Sequence, residues 1–129
     1  MIVAGSLFAA ETALTTTIGW RDGQPSEPFG VVIPGTGQNE PVGRALLASG
    51  VSAPWPMPVL ALACALAARP GRGWPARIMV ALGATLAVGT LVEPVSYGSR
   101  SRTPHVLATV PLNLATAALP VLTGLRNRG

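Results

Sequence analysis

Glu11 is the residue of this chain best placed to do chemistry. It stands in the middle of the apolar run "MIVAGSLFAAETALTTTIGW", with Thr12 beside it and Thr15 one helical turn further on. An ionised carboxylate at the centre of a bilayer costs about 3 kcal/mol or more. Glu11 therefore stays protonated, finds a partner or faces water. Asn113 occupies the corresponding place in the last apolar run, flanked at helical spacing by Thr109 and Thr116. A protonated Glu11 donating to the Asn113 side-chain carbonyl would satisfy both groups without burying a charge. Glu11, Thr15 and Asn113 form a candidate intramembrane polar site with two readings. One is an interhelical hydrogen bond that fixes register; the other is a proton or cation site, the default suspicion for an acid inside a membrane.

A second cluster lies in "VGTLVEPVSYGSRSRTPH", where Glu93 is followed within twelve residues by Arg100, Arg102 and His105. Pro94 disfavours helical geometry at Glu93, so the helix is expected to end there. The four charged or titratable residues then share one surface. An ion pair between Glu93 and Arg100 or Arg102 is the simplest expectation. The alternative is a site for an anionic headgroup or small acid, with His105 titrating near neutral pH. His105 also reads as an ordinary first-turn interfacial residue after Pro104.

Other chemistry finds no support in the residue types. One His and one Glu fall short of a metal-ligand set, and a single histidine leaves little room for a Ser/His/acid triad. "PGTGQNE" lacks the Gly-Lys-Ser/Thr ending of a phosphate-cradling loop. No catalytic, cofactor or metal residues are assigned, and a non-enzyme is favoured over an enzyme.

The elements that position these residues follow from composition. Of 129 residues, 49% are hydrophobic and 11% charged, against roughly 25% charged in an ordinary soluble domain. So few charges cannot cover a soluble surface, and the mean hydropathy is +0.47. The net charge of +4 comes from nine arginines and no lysine, scattered in ones and twos. Nucleic-acid binding needs a continuous basic face, so that partner is excluded. Cys64 is alone and reads as a small buried hydrophobe. The start "MIVAGSLFAA" has no basic n-region, so a cleaved signal is not expected; an abrupt apolar start also fits a true start further upstream.

Four apolar stretches, about 2–20, 55–68, 74–93 and 104–125, predict an all-α fold. It is a single domain, an integral membrane four-helix bundle with a long Gly/Pro-rich loop, 21–54, exposed between helices one and two. The second stretch is short, and its "PWPMP" lead-in is stiffened by proline. Trp20, Trp55, Trp74 and Tyr97 fall at span edges, where amphipathic rings prefer to sit. In the loop, residues 29–33 suggest a short strand. Residues 41–49, "PVGRALLAS", suggest a short helix on the membrane surface. The short basic connection "RPGRGWPAR" and the arginines at the end of the chain place both termini in the cytoplasm, in a multi-pass cell-membrane protein.

Two rows of small residues suit close helix contact or oligomerisation: Gly5, Ala9, Ala13 and Thr17 in the first span, and Ala81, Thr85 and Gly89, leading to Glu93, in the third. The expected partners are therefore the lipid bilayer and, through those faces, a homo- or hetero-oligomer.

"FAAETALTTT" resembles the first helix of the small multidrug resistance transporters, short four-span proteins whose glutamate binds protons and cationic drugs in alternation. The resemblance implies that Glu11 is an exchange carboxylate. It covers about ten residues, and the chain departs from the family pattern in its long 21–54 loop and in having no aromatic residue in "IMVALGATLAVGTL". Two function classes follow. The first is a non-catalytic structural, interaction or lipid-contacting membrane protein; the alternative is a proton-coupled carrier or exporter using Glu11. A membrane enzyme stands third.

Overall fold

The computed structural model describes residues 1–23, 25–37, 39–47, 51–70, 72–97 and 103–127. Within them the regular elements are helices: α1 (Ile2–Arg21), α2 (Pro41–Leu47), α3 (Pro56–Ala67), α4 (Trp74–Val92) and α5 (Pro104–Arg126), with 3-10 turns at Pro28–Gly30 and Pro94–Tyr97. Three of them, α1, α4 and α5, are long and apolar enough to cross a membrane. The fourth apolar helix, α3, has 12 residues, about 18 Å at 1.5 Å per residue.

Proline sets most of the boundaries. Helices α2 to α5 all carry it in the first turn, where its missing N–H has no intrahelical acceptor to lose. As Pro94 requires, Glu93 leaves the helical region at φ −77°, ψ 136° and ends α4.

The helices pack through glycine and alanine. Gly5 of α1 lies against Ala61 and Ala65 of α3, where an added Cβ would come within 3.2 Å of the Ala61 carbonyl. Helices α4 and α5 run antiparallel and approach more closely still. A Cβ at Gly83 would stand 2.5 Å from the Ala117 carbonyl, and one at Gly124 would stand 2.5 Å from that of Ala76. Phe8, Ala61, Cys64, Met79, Leu82, Leu86 and Ala117 form the apolar core. Met1, Ala68, Arg69, Arg72, Arg126 and Asn127 gather around a cleft at one end, so both ends of the described chain lie together.

Of the predicted small-residue rows, only Gly5 makes a close helix contact within the chain. In α1, Ala13 and Thr17 are exposed, while Ala4, Gly5, Phe8, Glu11, Thr12, Thr15, Thr16 and Gly19 form one buried stripe. Burying the large Phe8 side chain selects that face. In α4, Ala81, Thr85 and Gly89 are exposed, and Gly83 makes the close approach instead.

The long connection is also more buried than its composition suggests. Ser26, Glu27, Thr36, Arg44, Val51, Ser52 and Ala53 are all buried. Residues 26–36 are stitched by hydrogen bonds: the Ile33 N–H donates to the Ser26 carbonyl (2.9 Å), and the Ser26 N–H donates to the Thr36 hydroxyl (3.2 Å). Where a strand was expected at 29–33 the chain makes a tight turn instead, with Phe29 at φ 55° and Gly30 at φ 81°. The expected helix is present as Pro41–Leu47. Further on, Val51 packs with Val106 against Ile18 and Val110, between α1 and α5.

Candidate functional site

Helix α4 delivers Glu93 to the long connection. The Glu93 carboxylate accepts the Ser26 hydroxyl at 2.9 Å and the Glu27 backbone N–H at 3.0 and 3.3 Å. A carboxylate accepting main-chain and hydroxyl donors is a strong anchor, and here it fixes the loop to the end of α4. Burial pushes the Glu93 carboxyl above the ordinary carboxylate range, against the lowering effect of the donors from Glu27 and Ser26. The expected arginine partners, Arg100 and Arg102, lie outside the described residues.

His105 belongs to a different pair. Its Nε2 lies 2.9 Å from Asp22 Oδ2, which also accepts the Thr103 hydroxyl at 3.0 Å. The two contacts join the C-terminal end of α1 to the first turn of α5. Asp22 gains from the N-terminal end of the α5 dipole as well. The His105 hydrogen bond holds the Asp22 carboxyl below its ordinary value.

With those ends pinned, register follows by counting. Glu11 lies eleven residues below Asp22 and Asn113 ten residues below Thr103, so both stand about 15 Å down their helices. By this count they share a depth, but Asn113 is engaged elsewhere: its Nδ2 donates to the Val51 carbonyl at 3.1 Å. Neither oxygen of the buried Glu11 carboxyl has a hydrogen-bond partner among the described residues, and the same holds for Asn113 Oδ1. Thr15 faces inward with Glu11, but its hydroxyl is spent on the carbonyls of Glu11 (3.0 Å) and Thr12 (3.3 Å). All three predicted residues are thus buried, Glu11 and Asn113 at one depth and Thr15 a turn nearer the Asp22 end, and no side-chain hydrogen bond joins Glu11 to Asn113.

Between the connection and α4 lies a cavity of about 210 Å³. Ala53, Pro54 and Met57 line it on one side and Leu86, Gly89 and Val92 on the other, while Ser26, Leu47, Glu93 and Asn113 also reach it. The row of exposed Thr85 and Gly89 and half-buried Glu93 is therefore a cavity wall. Spacing alone identifies such a face but not what stands opposite it.

Sequence reasoning did not single out Arg44, Ser26 or Val51. Arg44 is 4% exposed and its guanidinium donates to the carbonyl of Gly19. That carbonyl lies in the last turn of α1, where the helix has no backbone donor left for it. One signal was available: a lone arginine in the otherwise uncharged "PVGRALLAS". Ser26 and Val51 act through backbone and hydroxyl groups that no residue pattern marks.

Among the described residues, no group of three or more His, Cys, Asp or Glu side chains converges on a metal position. Comparison of the chain with protein-family models, with curated proteins and with solved structures found no match.

Proposed function

We propose that this chain is a non-catalytic, lipid-contacting protein of the cell membrane. In this reading α1, α4 and α5 cross the bilayer, α3 completes a four-helix bundle as a half-length crossing, and both termini face the cytoplasm. Arg69, Arg72, Arg77 and Arg126 at one end of the helices support that orientation. Where α3 is missing, the irregular segment 51–54 takes up the space. Non-helical backbone at membrane depth is tolerated only where protein or a cavity meets its polar groups. Asn113 does so for the Val51 carbonyl.

The observation that carries the reading is the cavity. At about 210 Å³ it is larger than the roughly 150 Å³ that accommodates benzene, and so holds about eight non-hydrogen atoms. Its wall is chiefly apolar, and the Glu93 carboxylate beside it is already occupied by Ser26 and Glu27. A segment of a lipid acyl chain fits those properties.

Gly89→Leu tests this directly. A Cβ at Gly89 meets no atom within 4 Å, so the leucine fills the cavity without displacing its walls. Native mass spectrometry of protein released from nanodiscs is expected to show one retained lipid on the parent and none on the variant, at equal melting temperature. Equal retention by both would sink the proposal.

A second reading, a proton-coupled carrier, is favoured by one observation: the Glu11 carboxyl is buried with no hydrogen-bond donor among the described residues. Glu11→Gln keeps the hydrogen-bonding shape but cannot titrate. Loss of proton-linked transport in a folded Glu11→Gln protein would support the carrier. Identical transport by parent and variant would eliminate it.

A further inference from the structure

Helix α2 turns its charge inward and its apolar side chains outward. Arg44 is 4% exposed, whereas Val42 is 70%, Leu46 54% and Leu47 48% exposed. In water that arrangement is unfavourable on both counts: an arginine loses hydration, and three large aliphatic side chains remain wet. It becomes favourable when the outer face meets hydrocarbon.

Three hydrogen bonds fix the depth of this helix. Arg44 reaches the Gly19 carbonyl in the last turn of α1. The Ala45 carbonyl accepts the Trp55 N–H at 2.9 Å, immediately before α3. Four residues beyond α2, Val51 is held by Asn113, about 15 Å down α5. Helix α2 is therefore bracketed between the end of α1 and the middle of α5. No charged residue other than Arg44 lies within it.

We infer that α2 lies in the plane of the membrane at the boundary between headgroups and acyl chains, with Val42, Leu46 and Leu47 in the hydrocarbon. Arg44 extends along the protein to the end of α1 rather than into the headgroups. The occupant of this face is lipid. Because the face is uncharged, insertion does not depend on anionic lipid. Leu47 both faces outward and lines the cavity, so α2 forms the wall between the cavity and the bilayer. Gly43 allows the required fit: a side chain there would collide with the Gly35 carbonyl. The inference rests on the reading that α1 and α5 cross the bilayer.

Nitroxide labels test it in proteoliposomes. Single cysteines at Val42, Leu46, Leu14 and Glu40 are introduced on a Cys64→Ala background. Accessibility to oxygen and to a water-soluble nickel chelate is then measured in neutral and in partly anionic vesicles. Labels at positions 42 and 46 are expected about 5–10 Å below the phosphates, equally in both lipids, with the Glu40 label in water and the mid-helix Leu14 label deep. Chelate-accessible labels at 42 and 46 with a deep Leu14 label would overturn the inference for α2 alone. An aqueous Leu14 label would instead overturn the membrane reading beneath it. Spin–spin broadening at 42 and 46 would assign this face to a second copy of the chain and contradict lipid contact.

Discussion

Asn113 of α5 donates a 3.1 Å hydrogen bond to the backbone carbonyl of Val51. This one contact ties the long connection to a helix at mid-depth, in a layer that also holds Glu11. It replaces the interhelical Glu11–Asn113 bond that residue types alone suggested. Asn113→Leu keeps most of the volume but leaves the Val51 carbonyl unpaired. The expected loss is about 1–3 kcal/mol, read as a lower unfolding midpoint in detergent. An unchanged midpoint would remove Asn113 as the anchor.

Arg44 should matter more than the other arginines. Arg44→Ala strips the Gly19 carbonyl of its donor and leaves a space beneath α2, so destabilisation of about 1–3 kcal/mol is expected. Arg72→Ala, at an exposed position, should change stability by less than about 0.5 kcal/mol. Equal effects in thermal melts of the two variants would contradict the inward placement of Arg44.

Asp22 and Glu93 impose opposite pH dependences. The His105 hydrogen bond lowers the Asp22 value, so its stabilisation is complete above the ordinary aspartate range and is lost as pH falls through the lowered value. Burial raises the Glu93 value, so stability from that site is greatest below the ordinary glutamate range and declines as pH rises through the raised value. Asp22→Asn should flatten the acid limb of a melting-temperature profile. Glu93→Gln should flatten the limb just above the glutamate range. A profile unchanged by either substitution would contradict both assignments.

Glycines of similar appearance in α4 should respond differently. Gly83→Ala places a methyl group against the Ala117 carbonyl and the Val121 side chain, and overpacking of this kind costs about 1–3 kcal/mol. Gly89→Ala enters open space, and helix propensity favours alanine by up to about 1 kcal/mol. Melting temperatures that fall for the first and hold or rise for the second are expected.

Much of the helical scaffold was legible in the residues. Hydropathy and the boundary prolines place α1, α4 and α5 to within a residue or two of Ile2–Arg21, Trp74–Val92 and Pro104–Arg126. Residues 55–68 read as a short fourth span, whereas α3 has 12 residues and only α1, α4 and α5 are long and apolar enough to cross. What lies opposite each face was not legible. Gly83 and Gly124 meet α5 and α4 without belonging to a repeating row, and Thr85 and Gly89 repeat regularly but face a cavity. The connection misled because Gly/Pro-rich composition reports backbone freedom, whereas its placement comes from a few directed bonds by Arg44, Glu93 and Asn113. Apart from the one between Glu93 and the Ser26 hydroxyl, those bonds end on main-chain groups, which carry no residue identity.

That the described residues of the 22–55 connection are folded against the helices, and so form the roof of the cavity, is tested most directly by amide hydrogen exchange in nanodiscs. The Glu27 N–H is held by the Glu93 carboxylate and the Trp55 N–H by the Ala45 carbonyl. Both should exchange at least about a hundredfold more slowly than an open peptide, and Glu93→Gln should accelerate Glu27 without affecting Trp55. Exchange of both amides at the open-peptide rate in the parent protein would contradict the folded connection and the cavity beneath it.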